Sequence, residues 1–401
     1  MLVIEIELYT TWRTQFDPHT LVFYFTGLQL LIGILPLILS RNLRFSTDTP
    51  WKIARGIPLS IASVYGIFYA YRLLKPLFEQ VPIKVSNSDI IPQIQRFCKE
   101  FLAGRFPYTP FGDFGYLMSP TYLPAQWLPY LPMDWLKLDP RMLTFSVFAL
   151  IYGVFAAKII QHNTAFLKAI VLLAMPIYLI FEVFTYESPV WSLSVEQLIM
   201  GYYLLLGISL TTESRPFQIF SIVLCLMSRF ALIFWLPLFI FMMWTKQGTR
   251  TTLTYCAWIF AGCAVLYAPF LLKDPYIFTN AQAYYDLATE RCWAEPKPSP
   301  VYNGLAFTIY FFEKTGNKAQ LIAELKQMLF IITPSVSLLF GWIWWRVKDK
   351  IDAPLFAICT LKISLAVFYA FIQIPFSYLY ITPIIMSSVV LYRFGHLRHK
   401  L

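Results

Sequence analysis

The sequence predicts an all-α polytopic membrane protein with about eleven transmembrane helices and two large outer-face loops that carry interfacial helices. Three observations lead there. Hydrophobic residues make up 58% of the 401 positions and charged residues 13%, and the mean hydropathy is +0.59, more apolar surface than a soluble fold of this length can hide. Runs of about 20 apolar residues, the length needed to cross roughly 30 Å of hydrocarbon, recur from residue 21 to residue 392. The net charge of +10 is gathered into short connections between those runs.

The spans are expected near 21–40, 53–73, 143–161, 165–184, 195–210, 251–272, 327–345, 353–373 and 375–392. Residues 217–245 form one apolar run too long for a single untilted span and too short for two full ones. Its flanks decide the matter. Arg215 precedes it and Lys246 and Arg250 follow it, so both ends belong on the cytoplasmic side. The run therefore folds as two short helices or a re-entrant pair, turning near Ser228 and Arg229. The first apolar stretch begins at Leu21 behind a mixed acidic and basic segment and lacks a small-residue cleavage site, so it reads as a retained span. Residues 1–401 are read as a single polytopic domain.

Arg41, Arg44, Lys52 and Arg55 bracket one connection, Lys158 and Lys168 a second, Lys246 and Arg250 a third, and Arg346, Lys348 and Lys350 a fourth, with Arg393–Lys400 closing the chain. This is the positive-inside pattern. The basic charge reports topology, so the partner it indicates is the lipid bilayer and not nucleic acid. Two connections on the opposite side are long, 74–142 and 273–326, and chemistry on a rigid scaffold belongs in such loops. The first holds an amphipathic segment, Ile90–Leu102, suited to lying in the interface plane.

Several chemistries are disfavoured. The four histidines (His19, His162, His396, His399) all lie outside both large loops, which argues against a histidine metal site or a Ser/His/Asp triad there. No Gly-rich phosphate loop of the Walker type occurs. No cofactor is expected; a divalent metal is conceivable but has no ligand set to indicate it. Cys225, Cys256, Cys263 and Cys359 are intramembrane core residues, while Cys98 and Cys292 fall in the two outer loops, where a disulfide is one of two open readings.

The stretch SDIIPQIQRFCKEFLAGRFPYTP (Ser88–Pro110), followed by MSPTYLPAQWLPYLP (Met118–Pro132), resembles the first outer loop of the GT-C superfamily of integral-membrane glycosyltransferases, and is most similar to bacterial polyprenol-phosphate-mannose-dependent mannosyltransferases and their uncharacterised relatives. In that pattern an acid after a span opens an interfacial helix, a Gly-x-x-Pro-Tyr turn follows, and a Tyr/Pro-rich stretch leads to the next span. The matching positions are Asp89, the helix from Ile90, Gly104–Tyr108 and Tyr122–Pro132. LMSRFALIFWLP (Leu226–Pro237) resembles the family's kinked helix pair, with Arg where Lys is commoner. Two departures stand out: Asp89 follows the second span, not the first, and it lacks a second acid within two residues, which favours a single-base mechanism.

The resemblance implies a GT-C-like fold and an inverting hexosyltransferase. Such an enzyme moves a sugar such as mannose from a polyprenyl-phosphate-sugar donor to a lipid-linked or glycan acceptor. The implied setting is the outer, periplasmic face of a bacterial plasma membrane. Asp89 is the expected catalytic base, since such a reaction needs a carboxylate to take the acceptor's proton; the competing reading is that it merely caps the helix. Arg229 is expected to bind donor phosphate through its forked N–H groups, against a snorkelling role at a turn. Tyr108 and Tyr122 match the motif. Glu187, with Glu182 and Glu196, either orients an acceptor or a metal or is a solvated loop carboxylate. Tyr284, Tyr285 and Asp286 either contact a sugar or anchor the loop at the interface, and Tyr378 and Tyr380 read similarly. The rival class is a multi-span transporter or flippase, for which Lys362, the one clearly mid-span charge, would line the pathway.

Reporter fusions at residues 46, 248 and 348 are expected to report cytoplasm and fusions at 112 and 290 the outside. If 112 and 248 report the same side, the charge-based orientation is wrong.

Overall fold

The computed structural model describes residues 1–45, 53–161 and 165–399. Lys52, His162 and Lys400 lie outside them. The chain is helical, apart from a two-stranded antiparallel ribbon in which Leu43–Phe45 (β1) pairs with Leu397–His399 (β2). Among the described residues, seven helices are long and apolar enough to cross a membrane, and a multi-pass membrane protein is the result.

The N-terminal part holds α1 (Leu2–Tyr9), α2 (Pro18–Leu39) and α3 (Ile53–Gln80). Asp17 starts α2, its Oδ2 accepting the Thr20 amide at 3.1 Å, with Pro18 in the first turn. α1 was not anticipated. Eight residues are too few for a span, yet Ile6, Leu8 and Tyr9 are buried against α2, α8 and α19.

The first outer loop is largely helical: α4 (Ile90–Leu102), α5 (Pro124–Trp127) and α6 (Leu131–Leu136). α4 has the bounds its amphipathic pattern predicts, burying Ile91, Ile94, Phe97 and Cys98 and leaving Arg96 and Lys99 outward. α3 continues to Gln80, beyond the expected end at 73, because Leu74 and Phe78 extend its buried stripe past the apolar run.

Then come α7 (Pro140–Gln161), α8 (Phe166–Tyr186), α9 (Ser188–Leu193) and α10 (Glu196–Leu210). Every residue of α10 is buried, as expected of a helix apolar all round. Arg141 at the start of α7 closes this end. Its guanidinium donates to the carbonyls of Phe78 (2.6 Å), Val81 (2.8 Å) and Ser192 (3.3 Å) and pairs with Asp139, satisfying carbonyls at the end of α3 and in α9.

The 217–245 run is α11 (Arg215–Leu226), a 3₁₀ turn over Phe230–Phe234, and α12 (Leu236–Gln247). It is followed by α13 (Thr249–Leu271). The chain reverses between α11 and α12. Tyr255 near the start of α13 hydrogen-bonds Gln218 at the start of α11 (3.2 Å), and its ring lies 6.0 Å from Phe239 in the returning α12. The non-helical backbone at the reversal is supplied with partners: Ser337 donates to the Phe234 carbonyl (2.6 Å) and the Ala125 amide to that of Met227 (2.9 Å).

The second loop contains α14 (Ile277–Ala294), α15 (Ser299–Tyr302) and α16 (Thr308–Phe312). The last helices are α17 (Lys318–Val347), α18 (Ala353–Ala370) and α19 (Ile381–Phe394). α17 starts nine residues before the expected 327 because Leu321, Ile322 and Leu325 pack with Trp293 and Phe312. The last span, expected from 375, opens as a 3₁₀ turn, Ser377–Tyr380.

α18 is the hub. It packs closely on α2, where a Cβ at Gly33 would overlap the Ile363 side chain. Lys362, fully buried, donates to Glu5 of α1 (2.7 Å), to Gln29 of α2 and to the Pro383 carbonyl of α19 (2.9 Å), while Ser387 donates to the other Glu5 oxygen (2.7 Å). The mid-span charge therefore pins four helices together.

The two ends of the bundle differ. At one, Asp352 caps α18 (3.0 Å to the Leu355 amide) and takes a two-pronged bond from Arg393 (2.8 Å each), beside Lys246–Asp349 and the β ribbon. At the other, the two large loops meet, Lys273 lying 5.1 Å over the Phe106 ring. The end of α13 packs on the first loop, with Phe270 against Trp127 (5.6 Å) and Tyr108 (5.3 Å). Between the ends, large apolar side chains point outward, among them Ile61, Val64, Trp258, Phe260 and Leu338, as a lipid-facing surface requires.

Lys362→Met leaves Glu5 buried without its counter-charge and is expected to destabilise the protein by about 3–5 kcal/mol, with Lys362→Met/Glu5→Leu recovering most of the loss. Thermal unfolding in detergent measures both; equal Tm values for wild type and Lys362→Met would deny the pair its structural role.

Candidate functional site

Asp89 sits at the entry to α4, but its side chain makes no capping bond. Ser88 takes that part: its hydroxyl oxygen accepts the Ile90 amide (3.3 Å) while its hydrogen goes to the Leu193 carbonyl (3.1 Å). The Asp89 carboxylate is thereby released from helix duty. It is half-buried, and Oδ2 accepts a hydrogen bond from the Tyr116 hydroxyl at 2.8 Å.

Tyr116 is delivered by a small hairpin in which the Phe111 and Met118 backbones exchange hydrogen bonds of 3.0 and 2.8 Å. Gly115, at φ +84°, makes the turn that an L side chain would resist. Sequence reasoning missed this residue, and the only signal was the Gly112/Gly115 pair beside it. Burial and the neighbouring Asp89 push the Tyr116 phenol well above its ordinary pKa, so it stays a proton donor across the physiological range.

Around this pair the second loop and the reversal converge. Burial raises the pKa of Tyr122 and Tyr284, and each also feels Asp89; Arg229 opposes the shift at Tyr122 and Arg291 at Tyr284. Tyr285 is likewise raised by burial, with Arg229 opposing. Tyr378 lies within electrostatic reach of both Asp89 and Arg229. Asp89, Tyr116, Tyr122, Arg229, Tyr284, Tyr285 and Tyr378 thus form one neighbourhood assembled from both loops, the reversal and the approach to α19.

Arg229 adopts an extended backbone (φ −151°, ψ 141°) just after α11. Its guanidinium pairs with Glu196 at the start of α10; the glutamate is 3% exposed and the arginine 25%. The pair leaves Arg229 Nε and Glu196 Oε2 buried without partners. One unused donor and one unused acceptor are what a hydroxyl-bearing ligand completes.

Other expected site residues are engaged elsewhere. Tyr108 is a core residue whose hydroxyl donates to the Tyr122 carbonyl (3.0 Å) and accepts from the Trp127 indole (3.2 Å), so it supports Tyr122 from behind. Asp286 is held by Lys326 (2.9 Å) and Gln282 (2.8 Å), tying α14 to α17. Glu187 pairs with Arg13 and accepts from Ser377 (3.1 Å), one residue from Tyr378. Glu182 is buried among Tyr178, Thr10 and Glu7. Cys98 and Cys292 are free thiols, the former buried 3.6 Å from the Trp127 carbonyl.

Among the described residues, no three His, Cys, Asp or Glu side chains group closely enough to hold a metal ion. A separate cavity of about 300 Å³ lies between α4 and α6, lined by Gln95, Cys98, Tyr130 and Asp134, and shares no residue with the Asp89 neighbourhood. Fold and site define a multi-pass helical membrane protein with a carboxylate, tyrosine and arginine centre where two loops meet. Compared with known proteins, the chain matches no family model, no curated protein and no solved structure.

Arg229→Ala alone is expected to destabilise the fold by roughly 1–3 kcal/mol, because it strands a buried carboxylate; Arg229→Ala/Glu196→Ala should be less than additive. Thermal melts of the four proteins form a double-mutant cycle, and strict additivity would show that the pair is not coupled.

Proposed function

We propose that this protein is an inverting glycosyltransferase that moves a sugar, of the hexose class, from a polyprenyl-phosphate donor to a hydroxyl of a lipid-linked or glycan acceptor. In this reading the chain is GT-C-like, crosses a bacterial plasma membrane about eleven times, and works on the outer face. The observation that carries the reading is that the Asp89 carboxylate is unused by α4 and instead meets Tyr116 among residues of both loops.

The chemistry suits such a centre. The acceptor hydroxyl gives its proton to Asp89 as its oxygen forms the new bond to the sugar's anomeric carbon; the carbon–oxygen bond to phosphate breaks, and the phosphate leaves with the electron pair. The phosphate needs no acid, so one carboxylate suffices. Asp89 also favours positive charge developing on the sugar ring. Arg229 supplies charge-assisted donors for the leaving phosphate, and the protonated tyrosines supply neutral donors for sugar hydroxyls. Lys362, the residue a transporter would offer, is buried and held by Glu5, Gln29 and the Pro383 carbonyl, contacts that support the transferase reading over a transporter.

Asp89→Asn is expected to lower transfer from polyprenyl-phosphate sugars in membranes by about 10²- to 10⁴-fold while leaving insertion intact, since Asn keeps the shape and the bond from Tyr116 but cannot take a proton. Asp113→Asn, which alters an exposed carboxylate paired with Arg96 in the same loop, is the control and should be far milder. Near-normal turnover by a well-folded Asp89→Asn protein would remove Asp89 as the base, and no transfer by the wild type from polyprenyl-phosphate sugars would remove the reading.

A further inference from the structure

Arg13 lies in the segment between α1 and α2, and its side chain is 9% exposed. One nitrogen, Nη2, meets Glu187; Nε and Nη1 are buried and have no partner. Tyr9, fully buried and within electrostatic reach of the same guanidinium, has an unpartnered hydroxyl. The acceptor beside them is already used, since Glu187 takes Arg13 on one oxygen and Ser377 on the other. What remains open is two guanidinium nitrogens and a phenol hydroxyl that can donate as well as accept. Buried donors left this way are costly unless something completes them.

The place matters as much as the composition. Ser377 precedes Tyr378, which lies within reach of Asp89 and Arg229. Tyr380 lies between, within reach of Arg13 on one side and Tyr285 on the other. The donor set is therefore continuous with the Asp89 neighbourhood.

We propose that Arg13 and Tyr9 form a second oxyanion-binding subsite, which takes the phosphate or carboxylate of the acceptor while Arg229 takes that of the donor. A group that only accepts hydrogen bonds suits the two open guanidinium nitrogens and a phenol turned to donate, and guanidinium is the side chain that holds such groups in two-pronged geometry. The assignment of the two anions to donor and acceptor rests on the glycosyltransferase reading; the existence of the subsite does not.

The test is native mass spectrometry of the full-length protein in detergent with three probes: polyprenyl phosphate, inorganic phosphate and uncharged polyprenol. Wild type is expected to bind two equivalents of a phosphate-bearing probe and to prefer either phosphate over polyprenol. Binding of the lipid form alone identifies a lipid-borne acceptor, and binding of inorganic phosphate a free oxyanion; binding of neither overturns the proposal. Arg13→Gln should lose one equivalent, or weaken it at least tenfold, and Arg229→Gln the other. Glu187→Gln should tighten the Arg13 equivalent by removing the competing charge.

Tyr9→Phe guards against a folding artefact, since it deletes only a hydroxyl. It should weaken the second equivalent several-fold. If instead Tyr9→Phe raises Tm and leaves both equivalents untouched, the hydroxyl is an unsatisfied core group and the subsite does not exist. Loss of the second equivalent in Arg13→Gln together with no transfer by the wild type from polyprenyl-phosphate sugars would keep the subsite and refute the transferase reading. The converse pair of results would refute the subsite alone.

Discussion

The interaction on which the bundle depends is the buried ion pair between Lys362 and Glu5. A charge in the middle of an apolar helix is tolerated only when its donors are all used, and Lys362 uses them on α1, α2 and α19 at once. Such pairs add little net stability compared with apolar packing, but they punish wrong arrangements severely. Here the pair specifies which helices surround α18. It also fixes α1, which otherwise has too few residues to hold a position by apolar burial alone, and with α1 the segment that carries Tyr9 and Arg13.

That dependence explains what could and could not be read from the sequence. Ile90–Leu102 was legible to the residue because its stripe of Ile and Phe repeats at helical spacing and its flanks are polar. The reversal within 217–245 was legible because charges at both flanks leave no other topology. α1 was not: eight residues are too few to register as a span, and the lysine that neutralises one of its two acids is 357 positions away. The ends of α3 and α17 were misjudged for a related reason, since hydropathy marks where a helix leaves an apolar medium and not where its hydrogen bonding stops.

The candidate site divides along the same line. Asp89, Arg229, Tyr122, Tyr284 and Tyr285 come together as the chemistry of the two loops suggested, while Tyr108 and Asp286 turn out to brace the structure that presents them. Tyr116 left no periodic trace, because it is placed by a glycine turn and not by a helix face. The partners of the two arginines were equally hidden. Each is held by a glutamate distant in sequence, and in each case N–H groups are left over. The glutamates thus set the rest position of the guanidinium groups without consuming them.

The shortness of α11 and α12 has a mechanical consequence for the surrounding lipid. Twelve residues rise about 18 Å, well under the roughly 30 Å of an undisturbed hydrocarbon layer, and Phe220, Phe230 and Ile233 face outward along this hairpin. α17, with thirty residues, rises about 45 Å. A bilayer cannot match both, and mismatch of this kind is relieved by local thinning beside the shorter element. The leaflet should therefore dip where the hairpin turns, so that a headgroup drifting in the plane of the membrane sinks to the level of Arg229 without its chain leaving the oil.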